Sequence, residues 1–524
     1  MQQPRLTKSL FVEFTTNPHI ARRHIHNKDL YLQILDGLYG SMDGLAVGKA
    51  VEQQVLQLFA GKNIINIEKL YRAHHDWYQS YHQNTMQTID KLPDVIYQAW
   101  FCFDNLFVKT DLLVKNKEWT YDLCEVKAKN SVRKKNQEIP LLDELIADIS
   151  FQHFVLKKVL GDRYSWRAML VYLNKDYIKK WSIDPIHLLV KEDVTSELWG
   201  DEKVLETIDV IIKNLHLPRE EFIKVFPYNW EDHLTFFGEK HTQWSIWNIP
   251  QIKDSKTHFV LQNKLRIANL TEEDRQILFS TKSEETKASK YISLWNQWEK
   301  VIQKEAIQAM LGELQFPLYF YDYETVSRPI PLLEGTKPRQ QVVVQYSVHK
   351  MEQDGTITHS QDIIRPWEAD NSRVIQHLMN DLWMQHESMM WEEQAGTYIV
   401  WYKGFENTRN TEIALQYPQY AAMCQYINDH TFDLMEIFSE LHYFHRDFQW
   451  SASIKKVLPV MTDISYENMA IPHGGMAAET LMHIVTWLWH TPDIDEKTKN
   501  LLEYCTQDTW AMVRIYEEVK KEVS

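Results

Sequence analysis

The segment LYFYDYET, residues 318–325, sets two carboxylates into an otherwise apolar, aromatic run. Side chains alternate across a strand, so Asp322 and Glu324, two residues apart, project to one face near its C-terminal end. Unpaired carboxylates are costly to bury among aromatics, which weighs against reading an Asp-x-Glu on a central strand as plain surface charge. Two acids at one point can bridge two divalent ions, the arrangement that phosphodiester hydrolysis uses to activate water and stabilise the leaving oxygen. Taken singly, each acid also suits a strand-end surface charge.

Further acids follow. Glu406 lies in IVWYKGFENTRNTEIA just beyond a predicted strand, Asp433 in HTFDLMEIF, and Asp508 in LLEYCTQDTWAMV. Tyr504 precedes Asp508 by four residues, which places phenol and carboxylate one turn apart on one helical face. Asp433 also reads as a helix cap and Asp508 as a solvated helix residue. The order of strand Asp-x-Glu, a Phe-acid pair and a terminal Tyr-x-x-x-Asp resembles the DnaQ-like (DEDD-type) exonucleases of the DEDDy subtype. Together with SIKKVLP and SYENMAI, residues 316–520 also resemble a bacterial family catalogued as a domain of unknown function, thought to carry the same ribonuclease H-like fold. The resemblance implies that Asp322, Glu324 and Asp508 hold two Mg or Mn ions, that Glu406 joins the catalytic set and that Tyr504 orients the attacking water. DnaQ-like enzymes usually have Asp after the Phe of the second motif; the longer arm of Glu406 would shift a metal, with Asp433 as an assisting alternative.

A second constellation stands near the N-terminus. Asp111 in LFVKTDLLVK and Glu125 and Lys127 in LCEVKAK end apolar strands, the D...ExK pattern, with Glu125 and Lys127 on one strand face. In such a site the acids hold one or two divalent ions and the ammonium positions water. The plainer reading is a cross-strand ion pair on a solvated sheet face. Glu52 in GKAVE and Gln152 in DISFQHFVLKK flank the core as the assisting motifs do in RecB-like nucleases, and residues 7–160 resemble that branch of the PD-(D/E)xK superfamily. Many relatives bind an iron-sulfur cluster, but here the first motif reads TTNP around Pro18 and NWEDHLTFFGEKHTQW holds no cysteine, so a cluster-free site is expected. The run KAKNSVRKKN beside the ExK strand offers a grip for phosphates, although charge runs are more often wet loops. Scattered histidines, among them His473, His153, His74 and His75, lack metal-ligand spacing.

With 524 residues the chain exceeds one hydrophobic core. Its net charge of -15 argues against a generic basic coat for phosphate backbones, so nucleic-acid contact must be local. Four cysteines without CxxC spacing indicate reduced thiols. No stretch approaches the roughly 18 apolar residues of a membrane span, and no signal-peptide core is visible, which places the chain in the cytoplasm with no membrane association.

The expected class is α/β: an N-terminal PD-(D/E)xK restriction-endonuclease-like domain over 1–175, a connector over 176–312, and a C-terminal ribonuclease H-like (DnaQ-like) mixed-sheet domain over 313–524. The pattern predicts helix over 30–59, two antiparallel strands in VIYQAWFCFDNLFVKTDLLVKN with a third in WTYDLCEVKAK, and, from Phe316 onward, three strands, a helix and a strand followed mostly by helices. The expected activity is metal-dependent nuclease, a 3′-5′ exonuclease with a second RecB-like site, acting on nucleic acid with DNA favoured over RNA. DNA processing, repair or defence, with protein partners from such a system, follows by analogy. Two rivals stand beside it: one active domain with the other as a binding module, and a non-enzymatic nucleic-acid-binding scaffold.

Overall fold

The computed structural model describes residues 5–26, 28, 31, 44–70, 77–133, 141–226, 246, 258, 259, 262, 264, 266–277, 287–383, 396–449, 451–486 and 493–524. The chain divides into two compact units, Met1–Phe236 with Pro329–Pro331 and Lys337–Arg339, and Phe237–Arg328 with Leu332–Thr336 and Gln340–Ser524. Among the described residues no helix is long and apolar enough to cross a membrane.

The first unit holds strands β1 (Leu6–Thr7), β2 (Ile64–Asn66), β3 (Val95–Tyr97), β4 (Trp100–Phe103), β5 (Leu106–Lys109), β6 (Leu112–Lys115), β7 (Tyr121–Lys127), β8 (Tyr164–Leu173) and β9 (Leu189–Asp193). They form a six-stranded sheet, β2-β3-β6-β7-β8-β9, and a three-stranded sheet, β1-β5-β4. The run VIYQAWFCFDNLFVKTDLLVKN, expected as two strands, is four short ones shared between these sheets. Gln98 and Asp104 adopt left-handed backbone at φ 58° and 51°, which no continuous strand tolerates, so the chain turns at both. β9, within the stretch read as connector, pairs antiparallel with β8.

Three helices of this unit carry polar residues used below: α1 (Lys8–Thr16), α2 (Gly44–Gln57) and α3 (Asp143–Leu160). α2 lies within the stretch expected to be helical over 30–59. α3 is the crossover that the parallel pair β7 and β8 requires. Asp143 and Glu144 in its first turn and Lys157 and Lys158 in its last complement the helix dipole. Phe11 of α1 stacks on Phe151 of α3 at 4.5 Å, which fixes the start of α1 beside the sheet.

In the second unit β10 (Lys300–Ile302) pairs with β16 (Tyr443–His445), and β11 (Leu318–Val326), β12 (Val342–Met351), β13 (Ile357–Ile363), β14 (Thr397–Val400) and β15 (Thr431–Asp433) form a five-stranded sheet. Its order is β13-β12-β11-β14-β15, antiparallel from β13 to β11 and parallel from β11 to β15, with β11 in the middle. Helices α4 (Ser372–Leu382), α5 (Lys403–Gln416), α6 (Ile454–Met461) and α7 (Ile494–Val523) complete the parts used below. The predicted succession of three strands, a helix and a strand is present; β15, three residues long, is too short for a period-two signal.

The core around β11 is unusually rich in tyrosine, and buried phenols need partners. Tyr323 donates to Asn410 Oδ1 at 2.7 Å, and Asn410 Nδ2 donates to Tyr321 at 3.1 Å. Asn410 sits one turn after Glu406 on α5, so these bonds moor on β11 the helix that carries that acid. Replacing Asn410 with Ala removes the acceptor of the buried Tyr323 hydroxyl and one hydrogen bond of Tyr321, and is expected to cost roughly 2 kcal/mol. The check is a lowered urea midpoint at unchanged slope; an unaltered midpoint would contradict the mooring role.

Candidate functional site

At the end of β11, Asp322 and Glu324 meet Asp508 of α7; among the described residues they are the one group of metal-ligating side chains whose ligand atoms all lie within 4.8 Å of one another. The buried stripe of α7 runs through Leu501, Cys505 and Met512, and Asp508 falls between the last two, on the face turned to β11. Each carboxylate keeps intermediate exposure, which leaves access from solvent. Loss of solvent and the neighbouring Asp508 charge hold Asp322 well above the usual carboxylate range. Glu324 is raised well above it too, by desolvation and then by Asp322. Asp508 is pushed up to about 6 by desolvation, against the hydrogen bond it accepts from Tyr466.

Glu406 is buried beside this group. Burial and the Asp322 charge push it up to about 9, and its Oε2 is a buried oxygen without a hydrogen-bond partner. Hard oxygen donors, mutual repulsion and an orphaned buried oxygen suit a hard divalent cation such as Mg or Mn. Asp433 has a different task. Its Oδ1 accepts the backbone N–H groups of Tyr402 at 3.0 Å and Met435 at 3.1 Å, and its Oδ2 that of Lys403 at 2.9 Å. Tyr402 stands at φ 86°, so Asp433 secures the strained turn from which α5 and Glu406 start.

Two residues of this centre lie in segments to which the sequence reading assigned no chemistry. Tyr466, in SYENMAI, donates to Asp508 Oδ1 at 2.6 Å. Lys455, in SIKKVLP, donates to the Tyr504 hydroxyl at 3.0 Å and the Pro472 carbonyl at 3.1 Å, with its ammonium 5.0 Å from the ring centroids of both Tyr466 and Tyr504. The Tyr504 oxygen accepts from Lys455, and its own proton bonds toward Asp508.

In the first unit Glu125 and Lys127 of β7 come together as the ExK pattern implies, with Lys127 Nζ 2.7 Å from Glu125 Oε1. Asp111 accepts the Val126 N–H at 2.8 Å, and burial followed by the Glu125 charge pushes it up to about 7. Gln152 donates to Glu125 at 2.8 Å. Glu52 stands apart, accepting from Tyr97 and from Gln98 Nε2 at 2.8 Å, but lines the same cleft of ≈ 520 Å³ as Asp111. Asp148 and Lys8 were not anticipated. Asp148 precedes Gln152 by four residues on α3, a helical spacing that marks one face. Burial opposes its ionisation, but Lys127 and Lys8 pull it well below the usual range. Lys8 reaches Glu125 Oε1 at 3.0 Å from a position 117 residues earlier, which no local pattern reveals.

Other residues singled out in the sequence have ordinary roles. Arg133 of the basic run is paired with Glu192 and Glu197, while 134–136, His74, His75 and the cysteine-free segment 229–244 lie outside the described residues. His473 caps a helix through Met476 N, and His153 bonds Tyr164. None of the four cysteines is joined in a disulfide.

The second unit thus presents a cluster of carboxylates on a mixed sheet, and residues 319–453 match a family described as a domain of unknown function (DUF2779). The chain is similar to the uncharacterized protein MG366 homolog of Mycoplasma pneumoniae, 25% identical over 248 residues that cover 43% of this chain and 35% of the relative. It is also similar to the uncharacterized protein MG366 of Mycoplasma genitalium, 23% identical over 252 residues, 44% of this chain and 36% of the relative. The chain spans just over a third of the length of these curated relatives. No solved structure matches it.

A carboxyl whose folded pKa is raised binds its proton more tightly in the folded state, so stability falls as pH rises from the unfolded value to the folded one. That window runs from 3.8 to about 6 for Asp508 and from 4.5 to about 9 for Glu406. The melting temperature of metal-free protein, taken as wild type minus Glu406→Gln, is expected to decline between these limits. A difference that rises with pH would contradict the assignment.

Proposed function

We propose that the chain is a metal-dependent nuclease whose working centre is Asp322, Glu324 and Asp508, with Glu406 beside them. The observation that carries this reading is the convergence of these acids on one point, with proton affinities raised and a buried oxygen left without a partner. Bound there, Mg or Mn would activate the attacking water and stabilise the leaving oxygen of a phosphodiester. The protein's own groups fit that task. Tyr504, accepting from Lys455, would turn its proton from Asp508 to the attacking water once Asp508 holds an ion, and the Lys455 ammonium would offset charge on an approaching phosphate.

The five-stranded sheet, with the acidic pair on its central strand and the last acid on the final helix, supports the ribonuclease H-like, DnaQ-like reading and a 3′-5′ exonuclease. In the first unit, the ordering of Asp111, Glu125 and Lys127 around a six-stranded sheet supports the PD-(D/E)xK reading. A binding role for that unit is supported by its cleft, which Tyr78, Trp100, Lys49 and Lys109 line together with Glu52, Glu68 and Asp111, Lys109 being paired with Glu68. We place the activity on DNA rather than RNA, in repair, processing or defence, in the cytoplasm and with partners from such a system.

The test is degradation of end-labelled single- and double-stranded DNA and RNA with Mn. Asp322→Ala is expected to abolish hydrolysis, and Lys455→Met to slow it roughly 10- to 100-fold with metal uptake retained. Glu125→Ala separates a second nuclease site from a grip: the former loses a product pattern, the latter only affinity. A wild-type protein inert on every substrate would leave the scaffold reading.

A further inference from the structure

The first unit meets the problem of clustered acids with its own cations. Glu125 Oε1 accepts from Lys127 at 2.7 Å and from Lys8 at 3.0 Å, and its Oε2 from Gln152 at 2.8 Å. Asp148 Oδ2 accepts from Lys127 at 2.6 Å, while its Oδ1 accepts from Gln152 at 2.8 Å and lies 3.4 Å from Lys8. Every oxygen of the two acids therefore has a donor. A divalent ion shared by Asp111 and Glu125 would sit about 2.0–2.6 Å from their oxygens, against the two ammonium groups already on Glu125 Oε1 and beside the Val126 N–H that Asp111 accepts, so Glu125 as it stands does not fit one.

Lys127 belongs to the ExK pattern, but Lys8 does not. It is the first residue of α1, directly after Thr7, whose hydroxyl accepts the Leu10 N–H at 3.3 Å. The stacking of Phe11 on Phe151 fixes this turn against α3, the helix that carries Asp148 and Gln152. The Lys8 backbone is thus held, while its side chain, 21% exposed, also lines the cleft shared with Asp111 and Glu52. A tethered ammonium between two carboxylates does what a bound cation would do: it neutralises them and closes the oxygens to other ligands.

We infer that Lys8 is a resident cation of the first unit's site, seated where a divalent ion would bind, and that metal enters this site only when Lys8 swings into the cleft. Lys8 and a divalent ion compete for the same oxygens. The inference rests on the D...ExK reading of Asp111, Glu125 and Lys127 and is independent of whether the second unit cleaves anything.

Its test is manganese titration calorimetry on the full chain bearing Asp322→Asn and Asp508→Asn, which removes the other acidic centre. With Lys8 intact, no Glu125-dependent uptake is expected at concentrations that load the second unit of the wild type. Adding Lys8→Met, matched in length but uncharged, is expected to create uptake roughly 10- to 100-fold tighter, lost again with Glu125→Gln. Equal Glu125-dependent affinity with and without Lys8 would overturn the inference, as would a folded Lys8→Met that gains nothing. If melting shows Lys8→Met to be unfolded, Lys8→Gln carries the same comparison, and a folded Lys8→Gln without new uptake overturns it equally.

Discussion

Three carboxylates whose oxygens lie within 4.8 Å of one another repel, and the second unit is organised around keeping them there. At about 4 Å a like-charged pair costs up to roughly 4 kcal/mol near a protein surface. Desolvation raises all three acids and Glu406 with them, and the charges of neighbouring acids add to the rise at Asp322, Glu324 and Glu406. The surroundings supply rigidity instead of compensation. Asn410 ties α5 to the tyrosines of β11, Asp433 secures the turn at Tyr402, and Tyr466 holds one oxygen of Asp508. A preorganised set of oxygen ligands is what such an arrangement offers to an ion.

The first unit solves the same electrostatic problem in the opposite way. Its Glu125 and Asp148 are matched by ammonium groups and an amide, which pull Asp148 below the usual carboxylate range, whereas in the second unit Asp322 and Glu324 are raised well above it. Similar residue types therefore lead to different chemistry according to whether a lysine reaches the carboxylate oxygens. Lys455 lies near the second group but spends two of its protons on Tyr504 and a backbone carbonyl. Lys8 spends its own on the acids directly.

Much of this was legible in the sequence because it is periodic. Strand alternation in LYFYDYET placed Asp322 and Glu324 on one face, and helical spacing placed Tyr504 and Asp508 one turn apart. The succession of strands from β11 to β14 followed from apolar runs of sufficient length. What stayed hidden has no period. Lys455 and Tyr466 approach Asp508 and Tyr504 only through the fold, and Lys8 meets Glu125 across 117 residues. Asp148 carried a signal in its spacing from Gln152, but one helical pair among many does not stand out. Asp433 showed both of its possible roles in sequence, and the backbone N–H groups it accepts show that it caps a turn. The four short strands from Val95 to Lys115 depended on left-handed turns at Gln98 and Asp104, residues that do not advertise such turns as glycine would.

The central claim is that the end of β11 is a divalent metal centre, and the most direct measurement is a crystal structure of the protein soaked in manganese, with anomalous data collected at the manganese edge. The account expects an anomalous peak at about 2.0–2.6 Å from oxygens of Asp322, Glu324 and Asp508, absent in Asp322→Asn. Full manganese exposure with no peak among these carboxylates would contradict it.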